Sequence, residues 1–561
     1  MIVIWVGIAA VLSRFALHLE DTLQVAARVP GSESDAARRA QSELPAGDAE
    51  YAVLVARGID PRSTTRDAGR LDSLVAAIRT VPLVTAVRAY QGAGDSLLLG
   101  DGGTVVLAVL PPVEELPHGA IPLLRDCTRP LAARWAADGV TLRWTGEQAL
   151  NYDLRRASAR DASVAERRAL PVTAVILVLA FGTIVAASLP VLVGLLTIVC
   201  ALGAAGLVGR ALPLSLLLQS VVTMIGLGVG IDYGLLMVSR FREAREAGMS
   251  RGEAGAVVAS RGTRTILLSG MAVMVGFAGL LAVPLEELRS VGFGGLVAVA
   301  FAVALATTLL PRLLVLLGPA LDWWRLRTPS PVSAGAWQRW GRWVTSRPVA
   351  VMVVAGLPLL WLAWHATRLR VRTPRENWLP ASLESVAGTE DLRAMGLAAL
   401  LQRVRVVVRL PDHGDVLSQQ GWAAVREVSA LLLADRRIEA VVSFARFDSE
   451  RPPSRLTFAG TPRRARDAYL SEDRRTVLLD AIPTEQATPD VMTAFVGDLR
   501  HSLRARPADA RDVLVGGLPA FQLDYSKRVA GYLPRVVLFV LAGTFVALGV
   551  GLRSVLIPAK A

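Results

Sequence analysis

Residues Gly226 to Arg240 read GLGVGIDYGLLMVSR, and Asp232 is the one acid among them. Gly226, Gly228, Gly230 and Gly234 surround it, Tyr233 follows it, and Arg240 closes the apolar run. On a helix, Asp232 lies about 12 Å from that charged end. If the run crosses a bilayer, an ionised carboxylate at this depth costs at least about 2.5–3.5 kcal/mol. Such an acid needs a compensating partner or a neutral form, and desolvation favours the neutral form. A carboxyl able to hold or release a proton is what proton coupling requires. The competing reading is a structural hydrogen bond to a Ser or Thr on a neighbouring helix.

Tyr233 points about 100° away from Asp232 on a helix. Its hydroxyl can donate to a carboxylate, or the ring can serve packing. Ser269, in LLSGM, is a candidate relay neighbour, with back-bonding to its own helix as the alternative. Gly226, Gly230 and Gly234 recur every four residues, a small-residue stripe that lets helices approach closely. Gly228 lies one turn below Asp232. These glycines are not a dinucleotide loop, because they sit inside an apolar span without a strand–turn–helix context.

The elements that must hold this acid are membrane spans. The chain of 561 residues is 53% hydrophobic, and the apolar residues are blocked. Apolar segments fall near 1–17, 169–188, 190–209, 213–239, 265–284, 291–317, 348–365 and 533–552. Most are long enough to cross a hydrocarbon core of about 30 Å. The first lacks a basic leader and a clean cleavage site, so it reads as a first helix rather than a signal peptide.

The net charge is +13, and Lys527 and Lys560 are the only lysines. The arginines flank apolar segments, which favours membrane topology over nucleic-acid binding. Loop 240–264 carries six Arg against three Glu, and loop 318–347 holds Arg325, Arg327, Arg339, Arg342 and Arg347 against Asp322. By the positive-inside rule both are cytoplasmic, and the long segments 18–168 and 366–532 lie together on the opposite side. Trp323, Trp324, Trp340 and Trp343 beside these arginines read as an interfacial belt. Segment 240–264 reads as an amphipathic connector on anionic headgroups.

Each long segment reads as a mixed α/β domain. The first has strands at 51–58, 104–110 and 140–146, with helices at 67–81 and 122–139. The second has strands at 403–410, 475–483 and 512–517, with helices at 421–437 and 489–506. This order implies small split β-α-β sheets. The halves repeat: Gly146, Ala149 and Asp153 match Gly517, Ala520 and Asp524 in the form G-x-x-A-x-x-x-D, 371 residues apart. The repeat unit is one helix, an outer domain and five helices. The second copy reaches one helix after its outer domain, so helices nine to twelve are expected beyond Ala561, in a longer chain or a second one. Cys127 and Cys200 are too separated to imply a disulfide framework. The five histidines show no metal-ligand spacing, and no nucleophile–base motif or phosphate-binding loop appears.

VPGSES (29–34), GIDYG (230–234) and RTILLSGMAVMVGFAGLLAVPLEELRSVGFGGLVAVAFAVALATTLLPRLL (264–314) resemble the resistance-nodulation-division superfamily, in its MMPL (mycobacterial membrane protein large) branch. The resemblance covers almost the whole chain and is strongest over 213–317. It implies a polytopic α-helical membrane protein with two α+β, ferredoxin-like periplasmic domains, here about eight helices of a twelve-helix architecture. It divides the chain into helix one (1–17), porter-like domain one (18–168), helices two to six (169–317), a cytoplasmic loop (318–347), helix seven (348–365), porter-like domain two (366–532) and helix eight (533–552). It implies an inner-membrane exporter driven by the proton gradient, with no cofactor or metal. Asp232 and Tyr233 would be its relay, with membrane lipids as surroundings and a lipid or other hydrophobic cargo. A lipid- or sterol-binding receptor without proton coupling, and an inactive half-transporter, are the alternatives. A homo-oligomer, or a second chain supplying further helices, is the expected protein partner.

Overall fold

A computed structural model describes the chain outside residues 20–22, 25–27, 46–49, 92–97, 111–119, 319, 322–331, 367–379, 486, 506–511 and 557–561. Trp323, Trp324, Arg325 and Arg327 therefore lie outside the described residues. In chain order the elements begin with helix α1 (Ile2–Ala16), strand β1 (Leu23–Gln24), α2 (Glu33–Gln41), β2 (Glu50–Arg57), α3 (Thr65–Arg79), β3 (Ala86–Arg88), β4 (Leu99–Gly100), β5 (Gly103–Leu110), α4 (Ile121–Trp135) and β6 (Thr141–Thr145). Then come α5 (Glu147–Phe181), α6 (Ile184–Val208), β7 (Leu214–Ser215), α7 (Leu217–Glu246), α8 (Arg251–Val257), α9 (Thr263–Leu281), α10 (Glu286–Ala304), α11 (Leu310–Leu316), α12 (Val332–Ser346) and α13 (Pro348–Ala366). The rest are α14 (Glu384–Ala394), β8 (Val404–Arg409), α15 (Gln419–Leu433), β9 (Ile438–Val442), α16 (Arg455–Gly460), α17 (Arg463–Tyr469), β10 (Thr476–Pro483), α18 (Pro489–Arg504), β11 (Asp512–Gly517) and α19 (Leu518–Leu552).

Two units form. One comprises Met1–Gln24, Arg160–Arg372 and Val529–Ala561, and the other Val25–Ala159 and Thr373–Arg528. The first is helical. Among the described residues, six helices are long and apolar enough to cross a membrane: Ile184–Val208, Leu217–Glu246, Arg251–Leu281, Glu286–Leu316, Pro348–Ala366 and Leu518–Leu552. Ile2–Ala16 and Leu170–Phe181 are shorter apolar helices. Val354, Leu360, Trp361 and Trp364 of α13 are all more than half exposed. A helix apolar all round and uncovered by protein is one whose surroundings are apolar. The break between the second and third apolar segments differs from the sequence expectation. It falls at Gly182 and Thr183 instead of before Pro190, which lies inside α6. Gly182 takes φ +74°, a left-handed turn that ends α5.

In the second unit, two sheets share one topology. The first has strand order β3-β5-β2-β6, with β4 also on β5, and the second β11-β8-β10-β9. Each follows a strand–helix–strand–strand–helix–strand path, with α16 and α17 inserted in the second. The named pairings within both sheets are antiparallel. Strand β2 shows little apolar alternation because both its faces are covered. Ala52, Leu54 and Ala56 pack with α3 and α4 residues, including Leu74, Ile78 and Leu124. Val53 and Val55 pack with Leu392 and Met395. A strand buried on both sides loses the polar-out signature.

The covering helices are exchanged between the halves. Helix α14, from the second half, lies on the first sheet, where a Cβ on Gly388 would stand 3.0 Å from Thr145 Cβ. Helix α2, from the first half, lies on the second sheet, where a Cβ on Gly516 would stand 2.8 Å from Ala37 Cβ. The pairs correspond: 37 and 388 are 351 apart, and 145 and 516 are 371 apart. Strands β3 and β9 are additions to the strands legible in the sequence.

Candidate functional site

Helix α7 carries Asp232, and its glycines pack against α6. A Cβ on Gly230 would stand 2.7 Å from Gly194 Cα, and one on Gly234 2.7 Å from Pro190 Cα. Gly226 faces Ile198 and Thr197 at 3.3 and 3.4 Å. The stripe is thus a backbone-to-backbone seam between α6 and α7, as small-residue spacing permits. Gly228 has nothing within 4 Å of its Cβ position. It belongs to another face.

That face carries Asp232. The competing sequence reading of Asp232 was a hydrogen bond to a Ser or Thr on a neighbouring helix. Instead Asp232 is exposed, and Met224 at 74% and Leu235 at 38% lie along the same helical stripe. The seam glycines and Asp232 point in different directions, so close packing on one side leaves the acid on the other. Among the described residues no hydrogen-bond or ion-pair partner meets its carboxylate.

Tyr233 turns inward instead and is buried at 8% exposure. Its ring oxygen lies 3.4 Å from Ser269 Oγ on α9. Ser269 Oγ also donates to Ile266 O of its own helix at 3.2 Å. The Ser269 hydroxyl thus lies within donating distance of two oxygens, the Tyr233 hydroxyl on α7 and Ile266 O on its own helix. The structure brings Tyr233 and Ser269 together and leaves Asp232 outside that pair.

The repeated G-x-x-A-x-x-x-D motif forms two matching locks in the α/β unit. Gly146 and Gly517 adopt φ +87° and +89°, turning a strand end into a helix start. Ala149 and Ala520 are fully buried. Asp153 receives Arg125 through both terminal nitrogens at 2.7 and 2.9 Å, and the Ser385 amide at 3.2 Å. Asp524 receives Arg500 at 2.5 and 3.0 Å, and the Ser34 amide at 3.0 Å. Glu384 faces Arg125 Nε at 2.8 Å and accepts from the Trp144 amide at 2.8 Å. Glu33 faces Arg500 Nε at 3.1 Å and accepts from the Val515 amide at 3.1 Å. Burial opposes ionisation of both aspartates, but the Arg125 and Ser385 bonds hold Asp153, and the Arg500 and Ser34 bonds Asp524, below the usual carboxylate range. Sequence reasoning found the aspartates without their partners. The signal for the partners was a second repeat, Glu33-Ser34 and Glu384-Ser385, 351 residues apart. Cys127 and Cys200 are both free thiols.

Several long apolar helices, one bearing an acid within its span, and an α/β unit of two exchanged halves define a polytopic membrane protein. The MMPL family model matches residues 31–351, and the chain belongs to that family. It is 29% identical over 424 residues to the mycolic acid-containing lipids exporter MmpL11 of Mycolicibacterium smegmatis, covering 74% of this chain and 42% of that protein. It is 26% identical over 454 residues to the trehalose monomycolate exporter MmpL3 of the same organism, covering 76% and 42%. The heme uptake protein MmpL11 of Mycobacterium tuberculosis is 28% identical over 430 residues, covering 74% and 41%. The chain thus spans less than half the length of these relatives.

Proposed function

We propose that this chain is part of a lipid exporter of the inner membrane, driven by the proton gradient, and not an enzyme. The relatives named as exporters of trehalose monomycolate and mycolic acid-containing lipids support a lipid or other amphipathic cargo. The observation that carries the coupling is Asp232, a carboxylate among Met224, Gly228 and Leu235 on an apolar helix. Held ionised against hydrocarbon, it costs at least about 2.5–3.5 kcal/mol. In this reading further helices, from a longer chain, a second chain or a second copy, cover that face. Proton loading there shifts α7, and Tyr233 with Ser269 couples the shift to α9. The outer α/β unit passes the cargo onward.

The test is transport of a fluorescent lipid analogue in vesicles, with and without a pH gradient, using the protein with its covering helices. Gradient-dependent transport is expected in the wild type and lost in Asp232→Asn. Equal gradient-dependent transport in both removes the relay.

A further inference from the structure

Over residues 338–346 of helix α12 no residue is buried; Gly341 and Val344 are half-buried and the rest are exposed. A helix of 15 residues is marginal in water without a packed face. Ser333, Gly335, Gly341, Val344, Thr345 and Ser346 are also weak helix formers. Such a helix needs a surface to lie on. Trp340 and Trp343 are 58% and 51% exposed. Around α12 they stand about 60° apart, with Val344 about 40° beyond Trp340. Arg339 and Arg342, both exposed, fill the adjoining sector, about 40° and 100° from Trp343 on its other side. Arg347 follows the last residue of α12, and Pro348 opens α13. Since α13 presents apolar side chains all round, α12 stands at the end of a lipid-facing span.

A tryptophan-bearing apolar sector beside a cationic one is the pattern of a helix lying in the membrane interface. Indole rings settle at headgroup depth. The charge says which headgroups. From Trp323 to Arg347 the chain holds five arginines and no Asp or Glu. Among the described residues, no carboxylate pairs with Arg342 or Arg347. Membrane topology alone requires arginines near the span. It does not require them aligned beside a tryptophan face on a helix.

We propose that α12 is a docking surface for anionic phospholipid headgroups, with Trp340 and Trp343 seated at the apolar boundary and Arg339, Arg342 and Arg347 on the lipid phosphates. The order of α12 then depends on the charge of the bilayer. The inference goes beyond the proposed function and uses neither proton coupling nor the cargo.

The experiment is hydrogen exchange of the full chain in nanodiscs of phosphatidylcholine alone, and of phosphatidylcholine mixed equally with phosphatidylglycerol. It is read in peptides spanning 332–346. Each arginine at an anionic surface is worth about fivefold, so exchange is expected to be at least about tenfold slower in the mixed bilayer. The difference should shrink as salt rises. Arg342→Gln with Arg347→Gln should remove most of it, and Arg342→Lys with Arg347→Lys should keep it. Residues 384–394, in the α/β unit, should exchange alike in both bilayers. If the glutamine variant accelerates 384–394 as well, it is misfolded, and the lipid and salt dependence of the wild type decides alone. Equal protection in both bilayers overturns the proposal, since it marks seating by tryptophan alone or cover by another protein segment. Equal lack of protection overturns it too, as does a full lipid effect in the glutamine variant. Inorganic phosphate added to phosphatidylcholine discs should not slow α12; slowing equal to that of phosphatidylglycerol overturns the lipid assignment. Asp232→Asn should keep the lipid dependence, so a failed relay and a failed docking surface give different results.

Discussion

Replacing Asp524 with asparagine should release helix α2 from the second sheet. Asp524 accepts three hydrogen bonds: two from Arg500 at 2.5 and 3.0 Å and one from the Ser34 amide at 3.0 Å. Asparagine keeps one acceptor and places an NH2 where the other carboxylate oxygen met a donor. At least one charge-assisted bond is lost, at about 1.5–3 kcal/mol, and a donor is left facing a donor. Arg500 retains Glu33 at 3.1 Å, which keeps the cost below the about 3–5 kcal/mol of fully breaking a buried pair. The net is about 2–3 kcal/mol, or roughly 30- to 150-fold in a local opening equilibrium. Hydrogen exchange of the intact protein reads this directly, in peptides spanning 33–41 and 512–517. Both should exchange that much faster in Asp524→Asn. Residues 384–394 are held by the separate Asp153 lock and should not change. Unchanged protection over 33–41 would refute the lock. Equal acceleration of both exchanged helices would refute its independence.

Glycines of the α6–α7 seam should differ sharply from their neighbour. Gly230→Ala and Gly234→Ala each place a Cβ 2.7 Å from backbone carbon, so both should lower the melting temperature by an overpacking cost of about 1–3 kcal/mol. Gly228→Ala meets nothing within 4 Å and should melt within about 0.5 kcal/mol of the wild type. The pH dependence follows from the two locks. Folding depresses the proton affinity of Asp153 and Asp524 below their value in an unfolded chain, 3.8. Their contribution is therefore fully present above about pH 4 and is lost as pH falls through the lower folded-state values. Hydrogen exchange of 33–41 and 384–394 should accelerate as pH drops below about 4, after correction for intrinsic rates, and Asp153→Asn with Asp524→Asn should flatten that rise.

The membrane helices were legible because apolar length is a local property. The α5–α6 boundary was not, because Pro190 signals a break more loudly than Gly182. Proline is tolerated where neighbouring helices or local adjustments satisfy the freed carbonyl, whereas Gly182 actually adopts the left-handed conformation that ends the helix. In the outer segments the central strands were legible from β-rich composition. Strand β3, three residues long, carries too few residues for a periodic signal. The exchange of α2 and α14 is a tertiary fact that no local pattern encodes.

That exchange nonetheless left two separate traces. The Gly–Ala–Asp motif recurs at 371 residues, and Glu-Ser at 351. Each offset alone is a weak coincidence. In the structure the members of one repeat bond to members of the other: Asp153 to Ser385, and Asp524 to Ser34. Two offsets that differ by 20 residues cannot come from a single rigid copy. They require two conserved-geometry pieces joined by segments of unequal length, each piece completing the other half's sheet. The same logic bears on Asp232. In the α/β unit each half supplies the helix that covers the other half's sheet, and among the described residues the α7 face bearing Asp232, Met224 and Leu235 is exposed in the helical unit. A repeat that completes itself by exchange in one unit makes a repeat partner the economical cover for that face in the other, which is why the covering helices belong in any assay of Asp232.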